Sequence, residues 1–232
     1  MEGHGEACFP QEGDIAVAVV VVGGHSRSVG KTSVVVGLIA RLPEMRWTAL
    51  KITQYGHGFC TADGGPCDCA TDDHTIAFSE ERDAESGTDT ARYLNAGAVR
   101  SWWVRTRQGM LAAAMPRIRR EIEAAENVIV ESNSVMQFLR PDVYLTVLDA
   151  GTADFKDSAR LFLDRADAVL VRGTDLEPRW TGVSAKLIAG KPQFVIGPQE
   201  WVTDAVAEFV VRCITAQAKR YADAVEDVVE PS

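Results

Sequence analysis

The sequence predicts an α/β fold: a doubly wound, mostly parallel sheet with helices on both faces. Short runs rich in β-branched residues alternate along the chain with segments of helical periodicity. Some runs, such as IAVAVVVV and NVIVE, are apolar almost throughout, which is typical of parallel strands covered on both faces. Strands and helices that alternate in this way are joined by right-handed crossovers. At 232 residues, the chain is long enough to bury a core of this kind.

The elements follow from these patterns in chain order. Strands are predicted at 15–22, 47–52, 99–106, 127–131, 143–148, 168–172 and 193–196. Helices are predicted at 30–41, 88–96, 108–125, 156–165, 181–189 and 203–224. We expect a single domain over residues 14–224, with flexible termini at 1–13 and 225–232.

The overall composition limits the classes of function. A hydrophobic share of 46% and a charged share of 25% are those of an ordinary globular protein. The net charge of −9 argues against a nucleic-acid partner, because neutralising phosphates requires clustered lysine and arginine. No apolar run of about 18 residues predicts a membrane span, and the first residues lack the pattern of a secretory signal. We therefore expect a cytoplasmic protein without a membrane partner.

A glycine-rich loop, GGHSRSVGKTS at residues 23–33, follows the first predicted strand and leads into a helix. Backbone N–H groups in such a turn converge on an anion, and the start of the helix adds a favourable dipole. Lys31 would reach the outer phosphates of a nucleotide, and the Thr32 hydroxyl would ligate Mg²⁺. Gly30 would let the backbone approach a phosphate, since it has no Cβ.

The nucleotide contacts are expected along the whole loop. Arg27 is favoured as a phosphate ligand because its planar fork suits phosphate, with solvent exposure as the alternative. For His25 the same two roles are open, and solvent exposure is favoured. The predicted contact residues are Gly24, His25, Ser26, Arg27, Ser28, Val29, Gly30, Lys31, Thr32 and Ser33.

Two charged residues end predicted strands, at the edge of the sheet where ligands bind in open parallel folds. Lys51 could contact a substrate or the γ-phosphate, or it could lie in solvent. Glu131 ends the apolar run NVIVE. A carboxylate beside Thr32 would position Mg²⁺ directly or through water, and a carboxylate that ends a buried strand needs a partner. Lys31, Lys51 and Glu131 are therefore the predicted catalytic residues, and Thr32 and Glu131 the predicted Mg²⁺ ligands.

The loop from Gly24 to Thr32 resembles that of the dethiobiotin synthetase and cobyrinic acid synthetase group of P-loop proteins. Three later features are similar, in their order, to the molybdopterin-guanine dinucleotide biosynthesis protein B group. They are the KIT motif that begins at Lys51, the segment DTARYLNAGA that begins at Asp89, and Glu131 after a hydrophobic strand. The resemblance implies a P-loop NTPase that binds ATP or GTP with Mg²⁺ and acts as a homodimer.

The base-binding position of related P-loop proteins corresponds to RGTD at residues 172–175. Guanine selection in those proteins uses Asn-Lys-x-Asp, of which the chain keeps only Asp175. ATP is therefore preferred over GTP, with Asp175 as a base contact. As an alternative, Asp175 caps the turn that follows.

A polar, glycine-rich segment at 53–87 interrupts the alternation and is predicted to be an insertion after the second strand. Loops of this length in compact domains are usually functional or disordered. It carries four soft ligands, namely Cys60, Cys67, Cys69 and His74. These could fill a tetrahedral Zn²⁺ site or bind an iron–sulfur cluster. The alternatives are incidental cysteines in a loop and a regulatory disulfide.

Three functions remain open on this reading of the sequence. The first is Mg²⁺-dependent nucleotide hydrolysis, coupled through the cysteine-rich insertion to metal or molybdenum-cofactor handling for a client metalloenzyme. The second is an ATP-dependent ligase or kinase that acts on a small-molecule substrate and is similar to dethiobiotin synthetase. The third is an adaptor that binds nucleotide in order to dock a partner enzyme.

Overall fold

The computed structural model describes residues 17–55, 75–173 and 179–229. The strands within these ranges are β1 (Ala18–Gly24), β2 (Trp47–Tyr55), β3 (Ile76–Glu80), β4 (Arg100–Arg107), β5 (Asn127–Glu131), β6 (Val143–Asp149), β7 (Ala168–Arg172) and β8 (Gln193–Ile196). The α-helices are α1 (Lys31–Arg41), α2 (Asp89–Asn95), α3 (Leu111–Glu123), α4 (Asp157–Phe162) and α5 (Asp204–Val229). Short 3₁₀ turns lie at Pro43–Met45, Ser134–Gln137, Leu163–Arg165 and Ala185–Leu187.

The strands form one sheet in the order β3-β4-β2-β5-β1-β6-β7-β8. Neighbouring strands pair in parallel, except that β3 is antiparallel to β4. β1 lies inside the sheet between β5 and β6, and the later strands extend the sheet on both sides of it. The doubly wound, mostly parallel fold is thereby confirmed, and all seven predicted strands are present.

The valines of β1 show why the sheet needs helices on both faces. Val20 and Val22 are fully buried and pack with Leu38 of α1 and with residues of α5. Val21 points to the opposite face, where it joins a cluster that contains Ile118 of α3. Burying one such side chain contributes about 1.5–3 kcal/mol, so this alternation fixes β1 firmly at the centre of the sheet.

The predicted insertion at 53–87 is in part regular structure, which corrects the prediction. β2 continues to Tyr55, and β3 adds an antiparallel edge strand to β4. Every residue of β3 is half-buried, because an edge strand contacts the sheet on one side only. Its sequence, IAFSE, therefore lacks the apolar run that identified the central strands.

The two ends of the segment between β2 and β3 lie side by side on the end of β4. The carbonyl of Tyr55 accepts a hydrogen bond from the N–H of Gln108 (2.8 Å). The carbonyl of Thr75 accepts one from the N–H of Arg107 (2.9 Å). Tyr55 and Thr75, which flank residues 56–74, are therefore both held at the end of β4.

The helix predicted at 181–189 is wrong. The structure has only the 3₁₀ turn Ala185–Leu187 in this stretch. Gly182 and Gly190 have φ values of 70° and 80°. These left-handed conformations prevent an α-helix from continuing through either position.

In the ranges that the structure describes, no helix combines the length and the apolar character that crossing a bilayer requires.

Candidate functional site

The glycine-rich loop connects the central strand β1 to helix α1 at the carboxyl edge of the sheet. Gly30 precedes α1 with a φ of 110°, a conformation that favours glycine. A Cβ at this position would also overlap the indole ring of Trp201. Gly30 is thus required by backbone conformation and by packing, in addition to the close approach to phosphate that the sequence suggested.

Asn133, just after β5, holds the start of the loop. Its side-chain Oδ1 accepts a hydrogen bond from the N–H of Gly24, and its Nδ2 donates one to the carbonyl of Gly24, both at 2.9 Å. The amide therefore acts like a further residue of a neighbouring strand and continues the pairing beyond the end of β1. The side chain is buried, so this contact is protected from water.

His25 is completely buried, and the favoured prediction that it faces solvent is wrong. Its Nδ1 lies 2.8 Å from the carbonyl oxygen of Asp154, and its Nε2 accepts a hydrogen bond from the N–H of Asp149 (3.0 Å). The ring packs against Phe155 and Trp180, with centroid distances of 5.1 and 5.3 Å. Both ring nitrogens are engaged within the protein, so His25 positions the loop and is not a phosphate ligand.

The protonation of His25 follows from these partners. Because Nε2 accepts a hydrogen bond, the neutral ring carries its proton on Nδ1 and donates it to Asp154. Burial lowers the pKa of His25, and this outweighs the opposite effect of the Asp154 carbonyl. The ring therefore stays neutral near pH 7.

The tip of the loop is open to solvent. Arg27 and Ser28 are exposed, which is compatible with the phosphate contact expected of Arg27. Ser28 has a positive φ of 53°, and its carbonyl accepts a hydrogen bond from Nη1 of Arg172 (3.3 Å). The side chain of Val29 is buried in the core, so this residue offers a ligand only its backbone.

Lys31 lies across the loop. Its Nζ donates a hydrogen bond to the carbonyl of Ser26 at 3.0 Å. Burial lowers the pKa of Lys31, and the nearby charge of Glu131 acts in the opposite direction. An ammonium that is held at the loop and is only partly solvated is well placed to attract phosphate.

A second group of side chains meets beside the loop and forms what we call the oxygen cluster: Thr32, Asp89 and Glu131, with Lys51 at its centre. The hydroxyl of Thr32 donates to Oε2 of Glu131 (2.7 Å). The Lys51 Nζ lies 2.5 Å from Oδ2 of Asp89, 3.2 and 3.3 Å from the two carboxylate oxygens of Glu131, and 3.4 Å from Oγ1 of Thr32. Lys51 is therefore not a solvent-exposed lysine at a strand end.

The register of the sheet explains this convergence. Lys51 of β2 pairs with Glu131 of β5, and Glu131 pairs in turn with Val22 of β1. The three strands run parallel, so Lys51, Glu131 and Val22 lie at one level across the sheet, although β2 continues past this level to Tyr55, beyond the strand end that the sequence predicted. From α2, the buried Tyr93 donates its hydroxyl proton to Oε2 of Glu131. The hydroxyls of Thr32 and Tyr93 therefore both donate to the same oxygen of Glu131.

The charges in the oxygen cluster depend on one another. Burial by itself would raise the pKa of Glu131, but the charges of Lys51 and Lys31 outweigh it and hold that pKa below its usual value. Burial by itself would raise the pKa of Asp89, but Lys51 and Arg92 together outweigh it and lower that pKa. For Lys51, the two carboxylates outweigh burial and raise the pKa. All three groups are therefore ionised near neutral pH.

Sequence analysis did not select Asp89 as a site residue, although it begins the segment that carries the family resemblance. Asp89 is the first residue of α2, and Thr88 caps that helix by accepting from the N–H of Ala91 (3.1 Å). The carboxylate of Glu81 accepts hydrogen bonds from the hydroxyls of Thr88 (2.7 Å) and Thr90 (3.1 Å). The hydrogen bond from Thr88 has the largest effect among several that together lower the pKa of Glu81 to about 2. This turn fixes the helix start that presents Asp89.

Lys156 is a further basic residue that sequence analysis missed. Its backbone N–H donates to the carbonyl of His25 (2.8 Å), which ties the start of α4 to the glycine-rich loop. Burial lowers the pKa of Lys156 to about 8, and the positive charges of Lys31 and Arg27 add to this effect. Lys156 therefore lies near enough to Lys31 and Arg27 for the three positive charges to act on one another at the loop.

The oxygen cluster matches the ligand preferences of Mg²⁺. A hydroxyl and two carboxylates are the hard oxygen ligands that Mg²⁺ prefers, and this ion usually keeps waters and phosphate oxygens beside one or two carboxylates. The donor set of Thr32, Asp89 and Glu131 fits that description. The cluster contributes two carboxylates. A larger metal-binding group, of three or more His, Cys, Asp or Glu side chains, does not occur among the described residues.

Some predicted site residues lie outside the described residues, so their roles stay predictions. They are Cys60, Cys67, Cys69, His74 and Asp175.

Ser33 lies within the first turn of α1, and its hydroxyl accepts from Nη2 of Arg92 (3.3 Å).

No protein-family model and no curated protein sequence matches the chain. Among solved structures, it is similar to LpxK from Aquifex aeolicus in complex with ATP (19% identity, TM-score 0.44). It is also similar to HypB from Helicobacter pylori in complex with nickel (12%, 0.42), and to the signal recognition particle 54 kDa protein from Aeropyrum pernix K1 in complex with GDP (15%, 0.44).

These alignments cover 78%, 93% and 91% of this chain, respectively. They cover 54% of LpxK, 90% of HypB and 50% of the signal recognition particle protein, so the chain spans about half the length of two of these three structures. At these identities and TM-scores, the ligands of those proteins carry no information about this chain. Its function has to be inferred from its own side chains.

Proposed function

We propose that the chain is a P-loop NTPase that binds a nucleoside triphosphate with Mg²⁺ and transfers or hydrolyses its γ-phosphate. The observation that supports this proposal is one juxtaposition. The glycine-rich loop with Lys31 and the oxygen cluster with Glu131 meet at the carboxyl edge of the central strands, and Thr32 belongs to both. In open parallel sheets, this edge is where ligands bind.

The glycine-rich loop would hold the polyphosphate. Its backbone amides and the start of α1 supply partial positive charge, and Lys31 adds a full one. Arg27 at the exposed tip and Lys156 at the start of α4 would add further positive charge. Asn133 and His25 keep the loop in one conformation, so the amides are arranged before a ligand arrives.

The oxygen cluster would hold the metal. When bound, Mg²⁺ would neutralise charge on the β- and γ-phosphates. Thr32, Asp89 and Glu131 would ligate it directly or through water. Glu131 is ionised and oriented by Tyr93, so it would also order a water molecule or an acceptor group. Catalysis would then consist mainly of positioning and charge stabilisation, with little covalent chemistry required of the protein.

We further propose ATP as the nucleotide. The segment at 172–175 lacks the Asn-Lys pair of guanine-selective proteins. Arg172 hydrogen-bonds to the carbonyl of Ser28 and lies over the ring of Trp201, 5.6 Å from its centroid. Arg172 therefore stabilises the glycine-rich loop. Comparing the affinities of Mg-ATP and Mg-GTP tests this preference, and tighter binding of GTP would contradict it.

We also propose that nucleotide hydrolysis is coupled to the handling of a metal or of molybdenum cofactor for a client metalloenzyme. The four soft ligands at 60–74 would provide this coupling, and the protein would act as a homodimer. Metal analysis of protein purified without oxygen tests the coupling. Zinc, or iron with sulfide, in stoichiometric amounts would support a site in this segment, and protein free of metal would contradict it.

The central test compares nucleotide binding by the wild type, Lys31→Ala and Lys219→Ala. Lys219 is exposed on α5, so its variant makes the same change of charge away from the loop. Hydrogen bonds to charged groups contribute about 1.5–3 kcal/mol, so Lys31→Ala should weaken Mg-ATP binding about 10- to 100-fold. Lys219→Ala should bind as the wild type does. Equal affinity of Lys31→Ala and wild type would remove the assignment of the loop to phosphate.

A further inference from the structure

We propose that the Lys51 ammonium is a built-in counter-cation that competes with Mg²⁺ for the oxygen cluster and has to leave it when the metal binds. The inference rests on the proposed function for the identity of the metal. It concerns a positioning residue whose effect on metal affinity can be measured without nucleotide.

The first argument is geometric. The Lys51 Nζ lies between 2.5 and 3.4 Å from oxygens of Asp89, Glu131 and Thr32. A Mg²⁺ ion bound directly to these oxygens would lie about 2.0–2.1 Å from each of them. It would then overlap the volume of the ammonium group. One cation at a time can occupy the centre of the cluster.

The second argument is electrostatic. The side chain of Glu131 is 8% exposed and that of Lys51 is 14% exposed, so water screens this pair poorly. Without a cation between them, the carboxylates of Asp89 and Glu131 would repel each other, and an uncompensated buried carboxylate is costly. A cation at the centre of the cluster therefore stabilises both carboxylates. Lys51 supplies that charge from within the chain, and a divalent ion can replace it.

The third argument concerns what stays and what moves. Glu131 is fixed by Thr32 and by the buried Tyr93, and neither contact involves Lys51. The Lys51 ammonium ends a flexible four-carbon stem, whereas its backbone is fixed in β2 between β4 and β5. The ammonium can thus leave the cluster while the carboxylate stays in place. A bound polyphosphate would offer it a new anionic partner, so metal and nucleotide should bind cooperatively.

The test measures the binding of Mn²⁺ alone to protein without nucleotide, by electron paramagnetic resonance, with Mg²⁺ as competitor. Lys51→Met keeps the stem and removes the charge, so it should bind the metal at least about tenfold more tightly than the wild type. Lys51→Arg keeps the charge and should bind as weakly as the wild type. Lys31→Met is the matched control, because it removes a nearby ammonium that bonds to Ser26 outside the cluster.

The proposal is supported if the metal affinity of Lys51→Met exceeds that of both the wild type and Lys31→Met. It is overturned if Lys51→Met binds metal no more tightly than either of them. If Lys51→Met and Lys31→Met both bind the metal more tightly than the wild type by the same factor, the effect is a general one of charge. That outcome also overturns the proposal.

A measurement on the wild type keeps the proposal testable if Lys51→Met does not fold. The ¹⁵N resonance of the Lys51 ammonium, assigned by its loss in Lys51→Arg, should shift as Mg²⁺ saturates the site. An unchanged resonance at saturation would overturn the proposal. Neither experiment contains nucleotide, so failure of the P-loop assignment would show in the Lys31→Ala binding test and not here.

Discussion

The glycine-rich loop and the oxygen cluster share one edge of the sheet but are stabilised by different interactions. Most contacts that hold the loop are neutral: the amide of Asn133, the imidazole of His25, and the fit of Gly30 against Trp201, beside two hydrogen bonds from charged side chains to loop carbonyls. The cluster is held by the charges of Lys51 and two carboxylates. Neutral contacts favour one geometry whatever ions are present, whereas an ion pair can exchange its cation. On the proposed function, the loop would serve as a fixed template and the cluster as a site whose cation can be exchanged.

Gly30→Ala is the change in the glycine-rich loop that is expected to have the largest effect. The variant places a Cβ into the ring of Trp201 at a φ of 110°, so the free energy of unfolding should fall by about 2–4 kcal/mol. Urea unfolding monitored by circular dichroism measures this change. Gly190→Ala is the matched control, because it has a φ of 80° but open space around the added Cβ. It should lose only about 1 kcal/mol, and an equal loss in both variants would contradict the role of Trp201.

A smaller effect is expected from acidification, through His25. The pKa of His25 in the folded protein is below its ordinary value of 6.5, so the unfolded chain binds more protons than the folded chain as the pH falls. The stability contributed by the neutral ring is therefore present above about pH 6.5 and is lost below it. Protonation breaks the bond to the N–H of Asp149, at a cost of about 1–2 kcal/mol.

Thermal unfolding between pH 7 and 5 measures this loss. His25→Gln is the control, because glutamine can donate and accept hydrogen bonds but cannot take up a proton in this range. Its Tm should fall less on acidification than that of the wild type. Parallel falls in the two proteins would show that other groups account for the pH dependence.

The smallest expected effect concerns Lys156, whose pKa is about 8 because burial outweighs the nearby carboxylates Asp154 and Glu131. A polyphosphate favours the charged form, so nucleotide affinity should be highest below pH 8. It should weaken about 3- to 10-fold by pH 9. Stability should change in the opposite direction, since the folded-state pKa lies below the ordinary 10.5 and the unfolding free energy rises as the pH increases above 8.

Calorimetric titration of Mg-ATP at pH 7, 8 and 9 measures the change in affinity. In Lys156→Met the affinity should vary less with pH, although Lys31, Arg27 and the loop amides remain. An unchanged pH profile in this variant would place the titrating group elsewhere and would leave Lys156 with its structural role at the start of α4.

Much of the fold could be predicted because its central strands are apolar on both faces, as the valines of β1 are. The loop could be predicted because glycines, Lys31 and Thr32 are adjacent in sequence. β3 could not, since an edge strand has no continuous apolar run. The false helix at 181–189 shows that apolar spacing does not reveal left-handed glycines.

The contacts within the site were harder to predict than its location. His25 is buried by residues that lie more than a hundred positions further along the chain, and nothing near it in sequence indicates this. Asp89 and Tyr93 reach Glu131 and Lys51 only because α2 packs beside β2 and β4. Such long-range partners depend on the order of strands, which the alternation of elements does not determine.

Tyr55 and Thr75, the residues that flank 56–74, are held by two consecutive residues at the end of β4, Gln108 and Arg107. An excursion whose two ends are anchored together can gain or lose residues cheaply, because the entropy of closing a loop rises only with the logarithm of its length. Cysteines placed between those anchors could thus be acquired, respaced or discarded without disturbing strand pairing.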